Sequence, residues 1–248
     1  MLRSSNIQVM TNTIFKAAKI VRRDFNEIEK LQNSKIGAVS FVSNAIKNVE
    51  EIIHTELLKA RPENLIRIFD EENNLEHEKI FDDQNVFIIK PISGIHNFSK
   101  GLSLFSISIL LVYKNKPEAA VIYDPIKNEL FIAENGQGAF VNNSRMRISG
   151  NRNMSNSIIL LETEELLHEK DIKNILINYS KNIRILKSSC LDLTHLASGR
   201  VDCYISKNKS LNYEPGYLMV SESGGVTHEK SNILGVSFIS SSFFLDNI

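Results

Sequence analysis

Val86-Phe87-Ile88-Ile89 is a run of β-branched and aromatic residues that reads as a buried strand. It stops at Lys90-Pro91, and Gly94 then lets the chain turn sharply. A strand ending in Pro-x-x-Gly commonly brings polar groups to the mouth of a site, and here those groups include Lys90 and Ser93. Two more apolar stretches follow, Leu104 to Tyr113 and Ala119 to Tyr123, joined by Lys114-Asn115-Lys116-Pro117, which predicts a β-hairpin. Glu129 to Ala133 and Ala139 to Val141 add two strands, linked by Asn135-Gly136-Gln137-Gly138. That glycine pair precedes no helix, which argues against a nucleotide-binding loop.

Helical patterns flank this strand-rich centre. Ile14, Phe15, Ala18, Val21, Phe25 and Ile28 recur at helical spacing within Thr11 to Leu31. Lys35-Ile36-Gly37-Ala38 reads as a turn, and Ser43-Asn44 as the N-cap of a second helix with Ile46, Val49, Ile52, Ile53 and Leu57 facing inward. Leu65 to Phe69 is a predicted strand, followed by the acidic Asp70-Glu71-Glu72-Asn73. In the second half strands and helices alternate. Ser157–Leu161, Ile183–Leu186 and Val201–Ile205 are strands, with helices over Glu164 to Tyr179, from Ser188 to Ala197, and from Tyr213 to Ser223. Gly199 and Gly224-Gly225 end the last two helices, and two short strands follow near Val226 and Val236–Ile239. The pattern predicts a mixed α/β (α+β) fold with helices packed on sheets. No linker or repeat interrupts it. The expectation is therefore one domain over residues 1–248, with lobes at about 1–150 and 151–248.

Composition narrows the function classes. The formal net charge is zero, so no global field draws the chain to nucleic acid or to an anionic membrane. Cys190 and Cys203 are too far apart for a paired metal motif and suggest a reducing compartment or plain core packing. The N-terminus lacks a sustained apolar segment, and no apolar run approaches the roughly 20 residues needed to span a bilayer. A soluble, cytoplasmic protein is expected. The histidines, among them His96, His168 and His195, show no zinc-like pairing and read as surface or satisfied-core residues.

Lys90-Pro91-Ile92-Ser93-Gly94-Ile95-His96-Asn97-Phe98 resembles the metal-binding signature of the inositol monophosphatase family, Asp-Pro-Ile/Leu-Asp-Gly-Thr-Thr-Asn-Phe. Pro91, Ile92, Gly94, Asn97 and Phe98 match, whereas both Asp and both Thr positions differ. The resemblance extends through Val121-Ile122-Tyr123-Asp124-Pro125, Gly136-Gln137-Gly138-Ala139-Phe140, Cys190-Leu191-Asp192-Leu193, Ser198-Gly199-Arg200-Val201-Asp202 and Glu222-Ser223-Gly224-Gly225. It is closest to the bacterial SuhB-type branch. It implies the inositol monophosphatase / sugar phosphatase-like layered αβαβα sandwich and, in intact members, Mg²⁺-dependent hydrolysis of phosphate monoesters.

Mapped onto this chain, the resemblance makes Glu71 the retained metal ligand, with Asp70 as the ungapped alternative and the Ile92 carbonyl as a main-chain ligand. Lys90 and Ser93 stand at two Asp ligand positions, Asn212 at a third, and Ile95 at the position of a Thr that helps hold water and phosphate. Ile205 stands where animal members carry a substrate-binding Glu, and Ser40 and Ile46 replace the two Asp of another motif. Mg²⁺ needs several oxygen ligands, mostly carboxylates, close together. A divalent cation about 4 Å from Lys90 would meet roughly 8 kcal/mol of repulsion at an effective dielectric near 20. The expectation is thus a degenerate site without a cofactor, in a pseudoenzyme acting by binding; the alternative is a residual or altered Mg²⁺-dependent phosphatase for inositol or sugar phosphates. Lys90 is expected to replace the missing cation by pairing with Glu71, or failing that Asp70, with Ser93 and Asn212 as neutral acceptors. The resemblance further implies a homodimer and, by analogy with the SuhB-type branch, a partner in the transcription machinery.

Overall fold

A computed structural model of the chain describes residues 4–31, 35–68, 84–151, 153–179, 182–207, 214–229 and 237–241. Two long helices, α1 (Ser5–Leu31) and α2 (Lys35–Ala60), open the chain. A seven-stranded sheet follows in sequence order: β1 (Leu65–Ile68), β2 (Asn85–Ser93), β3 (Ser106–Tyr113), β4 (Lys116–Asp124), β5 (Glu129–Glu134), β6 (Gly138–Val141) and β7 (Ser144–Arg145). Strand β1 runs parallel to β2, and every later neighbour is antiparallel. The one-turn helix α3 (Ile95–Ser99) sits between β2 and β3. The second sheet comprises β8 (Ile158–Leu161), β9 (Asn182–Arg184), β10 (Cys203–Ser206), β11 (Val226–Glu229) and β12 (Ser237–Ser240), ordered β11-β12-β10-β8-β9. Its helices are α4 (Lys170–Tyr179), α5 (Ser189–Ala197) and α6 (Pro215–Glu222).

Side-chain alternation along the strands sorts these elements into layers. Phe87, Ile89, Ile107, Ile109, Leu111, Val121 and Tyr123 join Met10, Ile14, Val21, Val49, Ile53 and Leu57 in one apolar cluster, so α1 and α2 cover one face of the first sheet. The alternate residues, Val86, Ile88, Leu110, Val112, Ala120 and Ile122, meet Leu193, Leu196, Met219 and Tyr204 in a second cluster, which places α5 and α6 between the two sheets. Ile159, Leu161, Cys203 and Ile205 pack with Leu166, Ile172 and Leu176 on the outer face of the second sheet. The order is helix, sheet, helix, sheet, helix, the layered αβαβα arrangement.

Three local expectations change. Ser43 and Asn44 do not cap a helix: α2 runs unbroken from Lys35 to Ala60, and both residues are exposed inside it. Phe41 and Val42 before that pair and Ala45 and Ile46 after it carry the apolar spacing across it, and packing against α1 outweighs the capping preference. The helix expected over Glu164 to Tyr179 is split into a 3₁₀ turn, Glu164–His168, and α4, because Glu169 is extended at φ −72°, ψ 117°. The hairpin expected at Lys114-Asn115-Lys116-Pro117 forms, but its turn is shorter: Lys116 and Pro117 already belong to β4, and Lys114 and Asn115, with φ of 48° and 60°, are the left-handed pair that a two-residue hairpin needs.

Candidate functional site

Strand β2 delivers its end to the start of α5. Lys90 continues the even-numbered face of Val86 and Ile88, the face that meets α5 and α6. Between Lys90 and Ser93 the pairing with β3 shifts register, a bulge that changes which side chains face that layer. Lys90 and Ser93 therefore both reach the α5 start, while the Ile92 side chain, only 3% exposed, joins the α1/α2 cluster. Gly94 closes the turn at φ +89°, and a Cβ there would lie 2.6 Å from the Leu104 carbonyl oxygen and 3.2 Å from Ser188 Cβ. Glycine is thus required both by the backbone angle and by the close approach. Asn97 clasps the junction, its Nδ2 donating to the carbonyls of Leu104 at 2.9 Å and Leu186 at 2.7 Å.

The Lys90 side chain is buried, with only 6% of the residue exposed. Its Nζ donates to Glu214 Oε1 at 2.9 Å and to Ser189 Oγ at 3.0 Å, and the Ser189 hydroxyl itself donates to Glu214 Oε1 at 3.2 Å. Glu214 is 1% exposed and immediately precedes Pro215, the first residue of α6, with an extended backbone at φ −77°, ψ 121°. An extended conformation before proline is sterically enforced, and an acid at a helix start is electrostatically favourable. Cys190 Sγ sits 3.8 Å from Glu214 Oε2 and 3.5 Å from Ser108 Oγ; burial pushes its thiol up to about 11, so it is neutral packing and no nucleophile. Ser93 Oγ accepts from the Cys190 N–H at 3.4 Å and lies 3.5 Å from Ser188 Oγ.

Beside this cluster a small polar cavity of about 160 Å³ is lined by Ser93, Glu162, Thr163, Ser188, Asp192 and Tyr204, among others. Asp192 is 1% exposed, and among the described residues its Oδ1 has no hydrogen-bond partner. Burial first, then the charges of Glu162 and Glu214, raise its carboxyl to about 8 against a hydrogen bond from the Ser188 backbone. Glu162 accepts from Ser206 Oγ at 2.9 Å and the Lys207 N–H at 2.8 Å. Ile205 faces the outer cluster instead; strand alternation turns its neighbours Tyr204 and Ser206 toward the inner side.

The expected residues are thus placed unevenly. Lys90 and Ser93 converge on α5, the Ile92 side chain faces away, and Ile95 stands 47% exposed at the first turn of α3. Glu71, Asp70 and Asn212 lie outside the described residues, and with them the expected Lys90–Glu71 pair. The carboxylate seen on Lys90 is that of Glu214, which the sequence reading missed; the only local signal is an acid directly before a helix-starting proline. Ser189 supplies a neutral oxygen to the ammonium. His96 and His168 are exposed. His195 is buried, its Nδ1 lacks a partner among the described residues, and burial pushes the ring down to about 4. Glu222 accepts from the N–H groups of Gly136 and Gly138 at 2.8 and 2.7 Å, and so fastens the β5–β6 turn to α6.

The model of the inositol monophosphatase family matches residues 3–232. The chain belongs to the inositol monophosphatase family. It is 34% identical over 231 residues to an inositol-1-monophosphatase of Rhizobium meliloti, an alignment covering 91% of this chain and 85% of the relative. It is 32% identical over 221 residues to Nus factor SuhB of Escherichia coli K12, covering 86% and 81%. Among solved structures, the extragenic suppressor protein suhB from Bartonella henselae superposes with a TM-score of 0.79 at 30% identity, covering 98% of this chain and 97% of that one. An inositol monophosphatase from Anabaena, at 22% identity and a TM-score of 0.76 over 98% and 94% of the two chains, shares the fold.

The family's Mg²⁺ can be tested against the side chains present. Among the described residues no three His, Cys, Asp or Glu side chains converge as metal ligands. The carboxylate paired with the end of β2 is Glu214, and it already holds the Lys90 ammonium. The hydroxyls of Ser93, Ser188 and Ser189 beside it are neutral, and the carboxyls of Glu162 and Asp192 in the adjoining cavity do not group with Glu214 as metal ligands. A buried cation among neutral oxygens does not suit a hard divalent ion, so the described part of the site does not fit Mg²⁺.

Proposed function

We infer that this chain is a non-catalytic member of its family, a pseudoenzyme whose cleft carries a lysine in place of metal and which acts by binding. The observation that carries the reading is the buried Lys90–Glu214 pair at 2.9 Å. It sets an ammonium ion on the β2 turn where, by resemblance, intact members carry an Asp metal ligand. A buried charge persists only when paired, and removing either partner costs far more than the pair contributes. Relatives called Nus factor SuhB support a partner in the transcription machinery. A cytoplasmic homodimer and a single domain are part of the same reading. Among the described residues, no helix is long and apolar enough to cross a membrane.

A second reading, Mg²⁺-dependent hydrolysis of inositol or sugar phosphates, draws support from the identity with proteins called inositol-1-monophosphatase. Glu71, Asp70 and the Ile92 carbonyl would be its ligands. Turnover of inositol 1-phosphate and an aryl phosphate, with Mg²⁺ titrated into the range of weak oxygen sites, separates the two. The non-catalytic reading expects no metal-dependent turnover. Hydrolysis that rises with Mg²⁺ and is lost in Glu71→Gln establishes the phosphatase.

A further inference from the structure

The cavity beside α5 has a polarity that the Lys90–Glu214 pair does not explain. Lys90 is matched by Glu214, whereas Asp192 has a buried oxygen with no partner among the described residues. A buried oxygen left unmet forfeits its solvation without compensation, so it demands an explanation. Glu162 lines the same space and acts electrostatically on Asp192. Among the described residues the one cationic side chain in the wall, Lys187, is held by Glu164 at 2.5 Å. Backbone donors near the α5 start are engaged as well: the Cys190 N–H goes to Ser93 and the Asp192 N–H to the Ser188 carbonyl. The wall therefore offers carboxyl oxygens and hydroxyls, but little that would hold an anion.

We propose that this cavity binds the primary ammonium group of a small amino alcohol, with Asp192 and Glu162 receiving the ammonium and the hydroxyls of Thr163, Ser188 and Ser189 meeting the alcohol. The ammonium supplies the donor that Asp192 Oδ1 lacks. It also places a positive charge beside two acids, which favours the ionised form of Asp192. The cavity volume of about 160 Å³ limits the ligand to a few heavy atoms. The inference deepens the binding role proposed above, and it does not depend on whether phosphate is hydrolysed.

Isothermal titration of the full chain with ethanolamine, glycerol and inorganic phosphate tests it. Ethanolamine should saturate one site. Glycerol, a neutral polyol of similar size, and phosphate should bind at least about tenfold more weakly, a difference of about 1.4 kcal/mol. Asp192→Asn should weaken ethanolamine by about tenfold or more, and Glu162→Gln should do so in a variant that leaves the α5 buried surface untouched. The proposal is overturned if ethanolamine does not saturate, if glycerol or phosphate binds as tightly, or if both variants, folded by circular dichroism, bind ethanolamine as well as the parent does. An ethanolamine failure with no Mg²⁺-dependent turnover removes only this inference. Turnover combined with ethanolamine binding removes only the non-catalytic reading.

Discussion

Glu214 and Asp192 are two acids at one cleft, each 1% exposed, and they have opposite surroundings. Glu214 meets an ammonium at 2.9 Å and a serine hydroxyl at 3.2 Å. Asp192 has a backbone donor on its carboxyl and, among the described residues, nothing on Oδ1, and its carboxyl is raised to about 8. Equal burial therefore does not mean equal charge. A carboxylate in low dielectric stays ionised when a cation accompanies it, and otherwise holds its proton. The difference lies in what faces each acid. Residue 90 projects from a strand of the first sheet toward Glu214, and among the described residues no side chain meets Asp192 Oδ1.

The largest effect should come from removing the cation on the Glu214 side. Lys90→Met leaves a buried, unpaired carboxylate and should lower unfolding free energy by about 3–5 kcal/mol in urea titrations. Adding Glu214→Gln should recover much of that loss. If the double variant is no more stable than the single one, Glu214 is not the partner that matters.

On the Asp192 side the expected signature is a pH slope. In the folded state Asp192 holds its proton up to about pH 8, raised mainly by burial, whereas in the unfolded chain it releases it near the ordinary Asp value. Between those limits the folded state binds more protons, so this group's contribution to stability is full in acid and is lost as pH rises through the window. The limiting slope is about 1.4 kcal/mol per pH unit. Asp192→Asn should cancel that part of the slope while leaving the Lys90–Glu214 pair in place. An unchanged pH profile in this variant would make the two acids alike.

The smallest change tests the bridge between the acid and the ammonium. Ser189 donates to Glu214 and accepts from Lys90, so Ser189→Ala should cost about 0.5–1.5 kcal/mol, well below the Lys90→Met effect. A loss as large as that of Lys90→Met would mean that the hydroxyl, and not the ammonium, holds the acid.

How much of this was legible in sequence depends on the range of the cause. The buried apolar run of Val86 to Ile89, the hairpin at Lys114-Asn115-Lys116-Pro117 and the helix stop at Gly199 are local properties, and they were readable. The Ser43-Asn44 cap was misread because the α1–α2 contact that overrides it lies outside the window. Lys90 and Ser93 were legible as departures from a family motif, although the bulge that turns both toward α5 was not. Glu214 lies 124 residues from Lys90, and no local pattern joins them. Asp192 was visible only as part of a Leu-Asp-Leu run, because burial that leaves one oxygen without a donor emerges only once the helix layer is packed between two sheets.

The central claim is that Lys90 and its neighbours have replaced a metal-binding surface with a self-neutralised one. The most direct measurement is the melting temperature of Lys90→Asp/Ser93→Asp/Asn212→Asp against the parent chain, with and without Mg²⁺. The account predicts that the parent is indifferent to Mg²⁺. The triple variant, destabilised in its absence by crowded negative charge, should recover melting temperature as Mg²⁺ is added and lose it again with EDTA. A parent chain whose melting temperature rises with Mg²⁺, or a triple variant that ignores the ion, would contradict it.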